Sequence, residues 1–218
     1  MRNRDIPKVI AILKKEVSRF KTPYVKDISE RSKDPFKVLI SCILSLRTKD
    51  STTKGAADRL FKLASTPFPL AKLPLKTIEK AIYPAGFYRV KSRTIKELSK
   101  EIYLKHSSNV PDTMEGLLKL KGVGRKTANL VLTMGYGKPG ICVDTHVHRI
   151  TNRWGYVRTK TPEKTESALR KKLPERYWII LNNLLVTYGQ NVCAPLSPFC
   201  SRCAIFRYCG RAGVEKSR

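Results

Sequence analysis

Four cysteines near the end of the sequence have the spacing of a single metal-binding site. They follow the pattern C-x6-C-x2-C-x5-C and are Cys193, Cys200, Cys203 and Cys209. Two disulfides are disfavoured, because nothing marks the chain as exported and thiols inside cells stay reduced. The other two cysteines, Cys42 and Cys142, lie in apolar runs and are expected to be inert buried side chains.

The spacing leaves zinc and an iron-sulfur cluster as candidates for this site. Structural zinc usually takes two close ligand pairs separated by a long gap, whereas here only Cys200 and Cys203 form a close pair. A compact loop of four thiolates suits a cubane cluster, because each of its four irons needs a sulfur from a different direction. The pattern therefore favours iron-sulfur. Arg202, Arg207 and Arg211 make the same loop basic, so it is also expected to meet phosphate.

A glycine-rich turn is the second feature with chemical potential. Gly122, Val123 and Gly124 separate two apolar segments, and Arg125 and Lys126 begin the next predicted helix. Glycines let backbone amides approach a ligand, and helix N-termini attract anions. The turn is therefore expected to grip a DNA phosphate without reading the base sequence. An ordinary helical hairpin has the same pattern, but a nucleotide-triphosphate loop does not, because it requires glycine where Arg125 stands.

The charge of the chain indicates a polyanionic partner. Lysine and arginine number 44 against 17 acidic residues, which gives a formal net charge of +27. The basic residues are spread along the chain, and no apolar run approaches the roughly 18 residues that span a bilayer. Stabilising ion-pair networks would need more acids. We therefore expect a nucleic-acid partner, no membrane contact and a cytoplasmic rather than secreted protein.

The elements that must position these residues are helices, because apolar residues recur at helical spacing and no segment alternates as strands do. An Asp34-Pro35 pair and a Thr161-Pro162 pair each predict a capped helix start. The segment between residues 20 and 34 is predicted to be a loop, and the Gly/Pro-rich segment 135–140 a domain boundary. The predicted helices are residues 6–20, 36–46, 51–63, 75–82, 90–105, 114–120, 125–134, 145–154, 161–173 and 176–188.

Three of these features together resemble the endonuclease III family of iron-sulfur DNA glycosylases, in the helix-hairpin-helix superfamily. The matching segments are residues 120–129, the run Val143-Asp144-Thr145-His146 and the four-cysteine tail, in the family's order. The likeness extends from Leu44 to Cys209 and so covers nearly the whole chain.

The resemblance implies an all-α, two-lobed helix-hairpin-helix DNA glycosylase fold. One lobe is a six-helix barrel of residues 27–138, with the helix-hairpin-helix motif at about 114–134. The other is a discontinuous 4Fe-4S cluster domain of residues 1–26 and 139–218, with its cluster loop at 193–209. DNA is expected to lie across the cleft between the lobes.

The function implied is base excision DNA repair by a bifunctional DNA N-glycosylase and abasic-site lyase acting on oxidised pyrimidines. The partner is double-stranded DNA that contains damaged bases or abasic sites, and the protein is expected to be a nucleoid-associated monomer. The target base must leave the stack before it can be cut, at a cost of roughly a few kcal/mol. A pocket beside the phosphate grip is therefore required.

Lys126 and Asp144 are the implied catalytic residues. The lysine amine can attack the sugar C1′, expel the base and leave an iminium that permits β-elimination. The helix dipole and neighbouring Arg125 disfavour a charged ammonium there and so favour the reactive amine. Asp144 can stabilise positive charge at C1′ or assist proton transfer through water. The alternatives are that Lys126 only contacts phosphate and that Asp144 only caps a helix.

Arg47, Thr48 and Phe87 are further candidate DNA contacts. The loop of Arg47 and Thr48 resembles one that fills the gap left by a flipped base, although many bacterial relatives carry glutamine in place of Arg47. An arginine can still hydrogen-bond or stack on the orphaned base, but the preference for the opposite base does not carry over. Phe87 occupies the place of an apolar wedge, and its alternative role is a core anchor.

Two other functions compete with the lyase. Mismatch-specific monofunctional glycosylases of the superfamily share the hairpin, the aspartate and the cluster but lack a lysine at the position of Lys126. A non-catalytic iron-sulfur DNA-binding or redox-sensing protein would use the hairpin and the cluster only to hold DNA. The presence of Lys126 argues against a mismatch-specific glycosylase. In a non-catalytic DNA-binding protein, substitution of Asp144 would leave the function intact.

Overall fold

The computed structural model describes residues 1–20 and 24–218, without the side chains of Lys26, Ser29, Glu30 and Arg31. Within these residues the secondary structure is helical and contains no β-strand, which confirms the all-α prediction. The α-helices are α1 Ile6–Val17, α2 Tyr24–Ser32, α3 Pro35–Ser45, α4 Asp50–Leu63, α5 Pro67–Lys72, α6 Leu75–Ile82, α7 Tyr88–Lys105, α8 Met114–Lys119, α9 Arg125–Leu130, α10 Thr145–Arg153, α11 Pro162–Lys172 and α12 Trp178–Asn191.

Contacts divide the chain into two compact units. The first is discontinuous and consists of Met1–Pro23 and Pro139–Arg218, while the second is the continuous segment Tyr24–Lys138. Short 3₁₀ helices occur at Asn3–Asp5, Glu175–Tyr177, Cys200–Arg202 and Phe206–Tyr208. None of the described helices combines the length and the apolar character needed to cross a membrane.

The start of α3 and the start of α11 are capped by the side chains that the sequence predicts. The Asp34 carboxylate accepts hydrogen bonds from the amides of Phe36 and Lys37 at 2.9 and 3.3 Å. The Thr161 hydroxyl accepts a hydrogen bond from the amide of Lys164 at 3.3 Å. Both caps satisfy amides that a helix start leaves without partners inside the helix, and both predictions are confirmed.

The loop predicted between residues 20 and 34 is wrong for most of its length, because residues 24–32 form α2. The Tyr24 amide at its start donates to both carboxylate oxygens of Asp50, at 3.0 and 2.9 Å. Asp50 lies 26 residues further along the chain, so this contact cannot be recognised from the sequence next to Tyr24. Residues 21–23 of the predicted loop lie outside the described residues.

Two further differences follow from local backbone geometry. Helix α5 was not predicted, because two prolines lie in its six residues; both are in the first turn, and Pro67 is the first helical residue, where proline is favoured. The predicted helix 125–134 changes character near its middle, since α9 ends at Leu130 and Val131–Gly135 forms a π-helical turn. The hydroxyl of Thr133 donates to the Asn129 carbonyl at 2.7 Å within this turn.

Each unit has its own apolar core. In the continuous unit α3 is buried at Phe36 and from Val38 to Leu44 and packs against α2, α4, α7 and α9. In the discontinuous unit Ile6, Val9 and Leu13 of α1 are completely buried in a cluster to which α10 and α12 also contribute. The core of the continuous unit therefore includes α3, which packs against α9 of the hairpin, and the core of the discontinuous unit includes α10, which begins directly after Asp144.

Candidate functional site

The hairpin that carries Lys126 is built from α8, a glycine turn and α9. Gly122 has a φ of +82°, and a Cβ added there would lie 2.9 Å from a methyl carbon of Thr94. Val123 is buried and anchors the turn, whereas Gly124 is exposed at the N-cap of α9. A side chain larger than hydrogen would therefore be strained at Gly122 by both conformation and space.

Lys126 is exposed in the first turn of α9. Its charge acts on Cys42 of α3, which is 1% exposed. Burial raises the pKa of the Cys42 thiol to about 12, and the positive charge of Lys126 opposes that shift. Cys42 is therefore protonated at neutral pH, as expected of an inert core cysteine. The side chain of Lys126, by contrast, is exposed at the start of α9.

Asp144 caps α10. Its Oδ1 accepts hydrogen bonds from the amides of His146 and Val147, both at 2.9 Å. The cap uses one carboxylate oxygen, which leaves Oδ2 outside it. Asp144 thus has the capping geometry predicted for it, and the cap fixes the orientation of the second oxygen. Asp144 belongs to the discontinuous unit and Lys126 to the continuous one.

Arg47 and Phe87 lie at the tips of two neighbouring loops of the continuous unit. Both have left-handed backbones, with φ values of +51° and +57°. The Arg47 guanidinium carbon lies 5.6 Å from the centroid of the Phe87 ring. Phe87 is 60% exposed, so its alternative role as a core anchor does not apply. A large apolar side chain held in solvent in this way is suited to a partner surface.

Thr48 has its hydroxyl engaged within the protein. The hydroxyl oxygen accepts hydrogen bonds from the amide of Gly86 at 3.1 Å and from Nζ of Lys91 at 2.7 Å. Its own proton points to the Leu46 carbonyl at 3.2 Å. Thr48 therefore joins the two loops. Lys91 has no sequence signal that separates it from the other lysines of α7, so only the structure reveals its place here.

The four predicted ligand cysteines line one pocket. Among the described residues, no three side chains of the types His, Cys, Asp or Glu converge as ligands of a single metal ion would. The wall of the pocket is mainly apolar outside the sulfurs. Besides the cysteines, it contains Arg153, Trp154, Tyr188, Val192, Pro198, Phe199, Ile205, Phe206, Arg211 and Val214.

Hydrogen-bond donors point at three of these sulfurs. Tyr188 donates its hydroxyl to Cys203 at 3.2 Å, the Arg153 guanidinium donates to Cys193 at 3.4 Å, and the Arg211 amide donates to Cys209 at 3.4 Å. Such donors stabilise sulfur that carries negative charge, as it does when it is bound to metal. The donor set therefore fits metal-bound thiolates at Cys193, Cys203 and Cys209, and the three donors themselves have no sequence signal.

Burial favours the protonated form of these thiols and so opposes the effect of the hydrogen-bond donors. It raises the pKa of Cys203 and of Cys209 above the usual value, while the Tyr188 hydroxyl and the Arg211 amide oppose the respective shifts. Without metal, these two groups therefore stay protonated at neutral pH. Metal binding must displace those protons, so the affinity of the site for metal rises with pH.

A family assignment follows from the match of residues 40–175 to the HhH-GPD superfamily of base excision DNA repair proteins. The chain belongs to this family. The matched segment contains the hairpin, Lys126 and Asp144. The resemblance to endonuclease III is confirmed by similarity to Endonuclease III of Thermotoga maritima, which is 47% identical over 181 residues, or 83% of this chain and 85% of that protein.

A plant protein and two solved Endonuclease III–DNA structures are also similar to this chain. Endonuclease III homolog 2 of Arabidopsis thaliana is 42% identical, and this chain spans about half (49%) of its length. A non-covalent Endonuclease III–DNA complex matches with a TM-score of 0.84 at 31% identity, over 96% of this chain and 95% of that one. A trapped Endonuclease III–DNA covalent intermediate matches with a TM-score of 0.76 at 36% identity, over 81% and 83%.

These matches confirm the helix-hairpin-helix glycosylase fold. They also confirm the expected role in base excision DNA repair, since the HhH-GPD family acts in that process and the relatives named above are endonuclease III proteins. This chain is therefore an endonuclease III-type DNA glycosylase of base excision repair.

Proposed function

We propose that the chain is a bifunctional DNA N-glycosylase that excises oxidised pyrimidines and cleaves the abasic site by β-elimination at Lys126. The observation that carries this proposal is an exposed lysine in the first turn of the helix that follows the Gly122–Gly124 turn. Its substrate is double-stranded DNA with damaged bases or abasic sites, which suits a chain of net charge +27. The covalent intermediate named for one structural relative supports the same chemistry.

The proposed reaction uses the amine of Lys126 twice. Nζ attacks C1′, and the base leaves with the electrons of the glycosidic bond and takes up a proton. The amine loses a proton and the sugar ring opens, which leaves an iminium at C1′. The iminium acidifies the C2′ proton, and loss of that proton expels the 3′ phosphate with its bonding electrons. A water nucleophile would form no iminium and so could not make this second cut.

Asp144 is proposed to support the first step with its Oδ2 atom. Because Oδ1 is occupied by the two amides of the cap, the carboxylate is held in a fixed orientation. A negative oxygen held in this way stabilises the oxocarbenium-like charge that develops at C1′ as the base leaves. It can also relay protons through a water.

The DNA contacts are proposed to divide between the hairpin and the two loops. The turn Gly122–Gly124, with Arg125, grips a backbone phosphate through amides and positive charge. Arg47 and Phe87 enter the duplex where the damaged nucleotide leaves it, and Arg47 contacts the orphaned base. Thr48 acts in this scheme through the position of the loop, because its hydroxyl already has three partners in the protein.

Cys193, Cys200, Cys203 and Cys209 are proposed to hold a 4Fe-4S cluster. The four thiols line one mainly apolar pocket, and three of their sulfurs receive hydrogen bonds. Such a cluster, when bound, supplies cross-links between distant parts of a loop and a centre that can exchange one electron. The exposed side chains of Arg202, Arg207 and Arg211 then extend from a rigid loop toward phosphate.

Reduced thiols and a DNA substrate support a cytoplasmic, nucleoid-associated location.

A panel of lesion-containing duplexes with borohydride trapping tests the proposed activity. Borohydride reduces the iminium and leaves the protein covalently bound to DNA. We expect trapping on duplexes with an oxidised pyrimidine or an abasic site, and none on undamaged DNA. Base release without trapping would indicate a monofunctional glycosylase, while binding without release or trapping would indicate a non-catalytic DNA-binding protein.

Metal analysis of anaerobically purified protein tests the cluster. We expect about four irons per chain with broad visible absorption, and most of the iron to be lost in a Cys203→Ser variant. Cys142→Ala is the matched control, because Cys142 is a buried cysteine of the same unit that does not line the pocket. One equivalent of zinc without iron in the wild-type protein would contradict the assignment.

A further inference from the structure

The loop after α3 and the loop before α7 touch through their backbones. The amide of Gly86 donates to the Thr48 hydroxyl at 3.1 Å. A Cβ added to Gly86 would lie 2.5 Å from the backbone carbonyl oxygen of Arg47, closer than a Cβ atom can approach another atom that is not bonded to it. The absence of a side chain at Gly86 therefore allows the tips of the two loops, Arg47 and Phe87, to lie beside each other.

A buried ammonium group lies behind this contact. Lys91 of α7 is 6% exposed, and its Nζ donates to the carbonyls of Leu44 and Leu46 at 2.7 and 2.6 Å and to the Thr48 hydroxyl at 2.7 Å. An ammonium has three N–H donors, so these partners use all of them. Lys91 is thereby fully committed inside the protein and can neither attack a substrate nor bind phosphate in this arrangement.

The partners of Lys91 belong to the end of α3 and to the loop that follows it. The last carbonyls of a helix lack partners inside the helix and carry its negative dipole end. An ammonium placed there satisfies the Leu44 carbonyl and balances the partial charge. Burial lowers the pKa of Lys91 to about 8, so holding the group inside the protein carries an energetic cost that these contacts must offset.

Both loop tips have a backbone that needs external support. Non-glycine residues in the left-handed region, such as Arg47 and Phe87, are strained and persist where the surroundings enforce that conformation. Lys91 holds the first loop directly, and it holds the second through Thr48 and Gly86. Lys91 also belongs to α7, the helix that begins immediately after Phe87.

We propose that Lys91 is a positioning residue that fixes the two loops relative to each other, so that Arg47 and Phe87 enter the duplex together when the damaged nucleotide is extruded. This inference rests on the proposed function, because it assumes that the two tips enter DNA. Lys91 acts on extrusion through Thr48 and Gly86, without touching the substrate. Its loss leaves the phosphate grip of the hairpin and the Lys126 amine in place.

The test compares Lys91→Met with Lys96→Met in the full-length protein. Lys96 lies on the same helix and donates from a partly buried Nζ to the Leu73 carbonyl at 2.6 Å, so its replacement also removes a lysine–carbonyl bond, but away from the loops. Three quantities are measured: single-turnover base excision, affinity for undamaged duplex, and the fluorescence change of 2-aminopurine placed opposite a tetrahydrofuran abasic analogue. The last reports insertion into the duplex without any chemistry.

For Lys91→Met we expect excision to slow by at least about tenfold, since small misplacements of positioning groups have effects of that order. Most of the 2-aminopurine response should be lost, while affinity for undamaged duplex stays within about twofold because phosphate contacts are retained. Lys96→Met should behave as wild type in all three. Wild-type excision and fluorescence in Lys91→Met, or equal losses in Lys96→Met, would overturn the proposal.

Thr48→Val provides the same test if Lys91→Met does not fold. It removes the hydroxyl that joins the loops but keeps the shape of the side chain, and it should reproduce the loss of excision and of fluorescence. Thr53→Val is its control, because the buried Thr53 hydroxyl donates only to the nearby Lys49 carbonyl at 3.1 Å. A wild-type protein that neither excises nor is trapped would instead contradict the proposed function itself.

Discussion

Replacement of Lys126 with alanine is expected to abolish borohydride trapping on abasic DNA and to slow strand cleavage by at least about 1,000-fold, because the covalent nucleophile is removed. No other amine occupies the first turn of α9 beside the glycine turn. The measurement is the fraction of protein cross-linked to a duplex that contains one abasic site. Lys105→Ala serves as control, since Lys105 is an exposed lysine paired with Glu101 at 3.2 Å.

A second substitution separates the nucleophile from a simple phosphate contact. Lys126→Arg keeps a positive charge at the end of the hairpin, but a guanidinium stays protonated and does not attack carbon. If Lys126 forms the Schiff base, the arginine variant should bind DNA and fail to be trapped. Cleavage and trapping at wild-type rates in this variant would instead show that Lys126 only contacts phosphate.

Replacement of Asp144 with asparagine is expected to slow base excision by at least about 100-fold, because the developing positive charge at C1′ loses its negative partner. Asparagine caps helices as well as aspartate, so the amides of His146 and Val147 keep an acceptor. The melting temperature should therefore remain close to that of wild type. Single-turnover excision and thermal unfolding of the same preparations measure the two effects independently.

Asp144→Ala is the companion variant that removes both functions of the side chain. Loss of a cap costs about 1 kcal/mol, which corresponds to a decrease in Tm of about 2–4 °C for a chain of this size. A decrease in Tm for alanine but not asparagine, together with slow excision in both, would assign the charge to catalysis and the oxygen to the cap. Wild-type excision by the asparagine variant would mean that Asp144 only caps α10.

The helix starts that can be predicted from the sequence are those whose capping residues lie close to them in the chain. The caps of α3 and α11 depend on residues within three positions of the helix start, so Asp34 and Thr161 are recognisable in the sequence. The Tyr24 amide at the start of α2 is bound by Asp50, 26 residues away, and a contact over that distance cannot be predicted from neighbouring residues. The same limit applies to α5, where prolines in the sequence obscure a helix that packs against α7.

The candidate site divides in the same way. The hairpin, Lys126 and the cysteine spacing are recognisable because neighbouring residues carry them. Thr48 was predicted from its loop, but the sequence could not show that its hydroxyl would be used within the protein. Lys91 is one of 44 basic residues, and its burial depends on α3 and α7 packing together. The roles of Thr48 and Lys91 depend on tertiary contacts, which cannot be recognised from a residue type or from its neighbours in the sequence.

The discontinuity of the first unit has a consequence for synthesis. Ile6, Val9 and Leu13 of α1 pack in a core with residues of α10 and α12, and the amino group of Met1 donates to the Trp154 carbonyl across 153 residues of sequence. A ribosome needs on the order of ten seconds to make that length. During this interval the apolar face of α1 has none of these partners, because the whole continuous unit is synthesised before they appear. The order of these segments in the chain therefore exposes the apolar face of α1 to water or to chaperones early in synthesis.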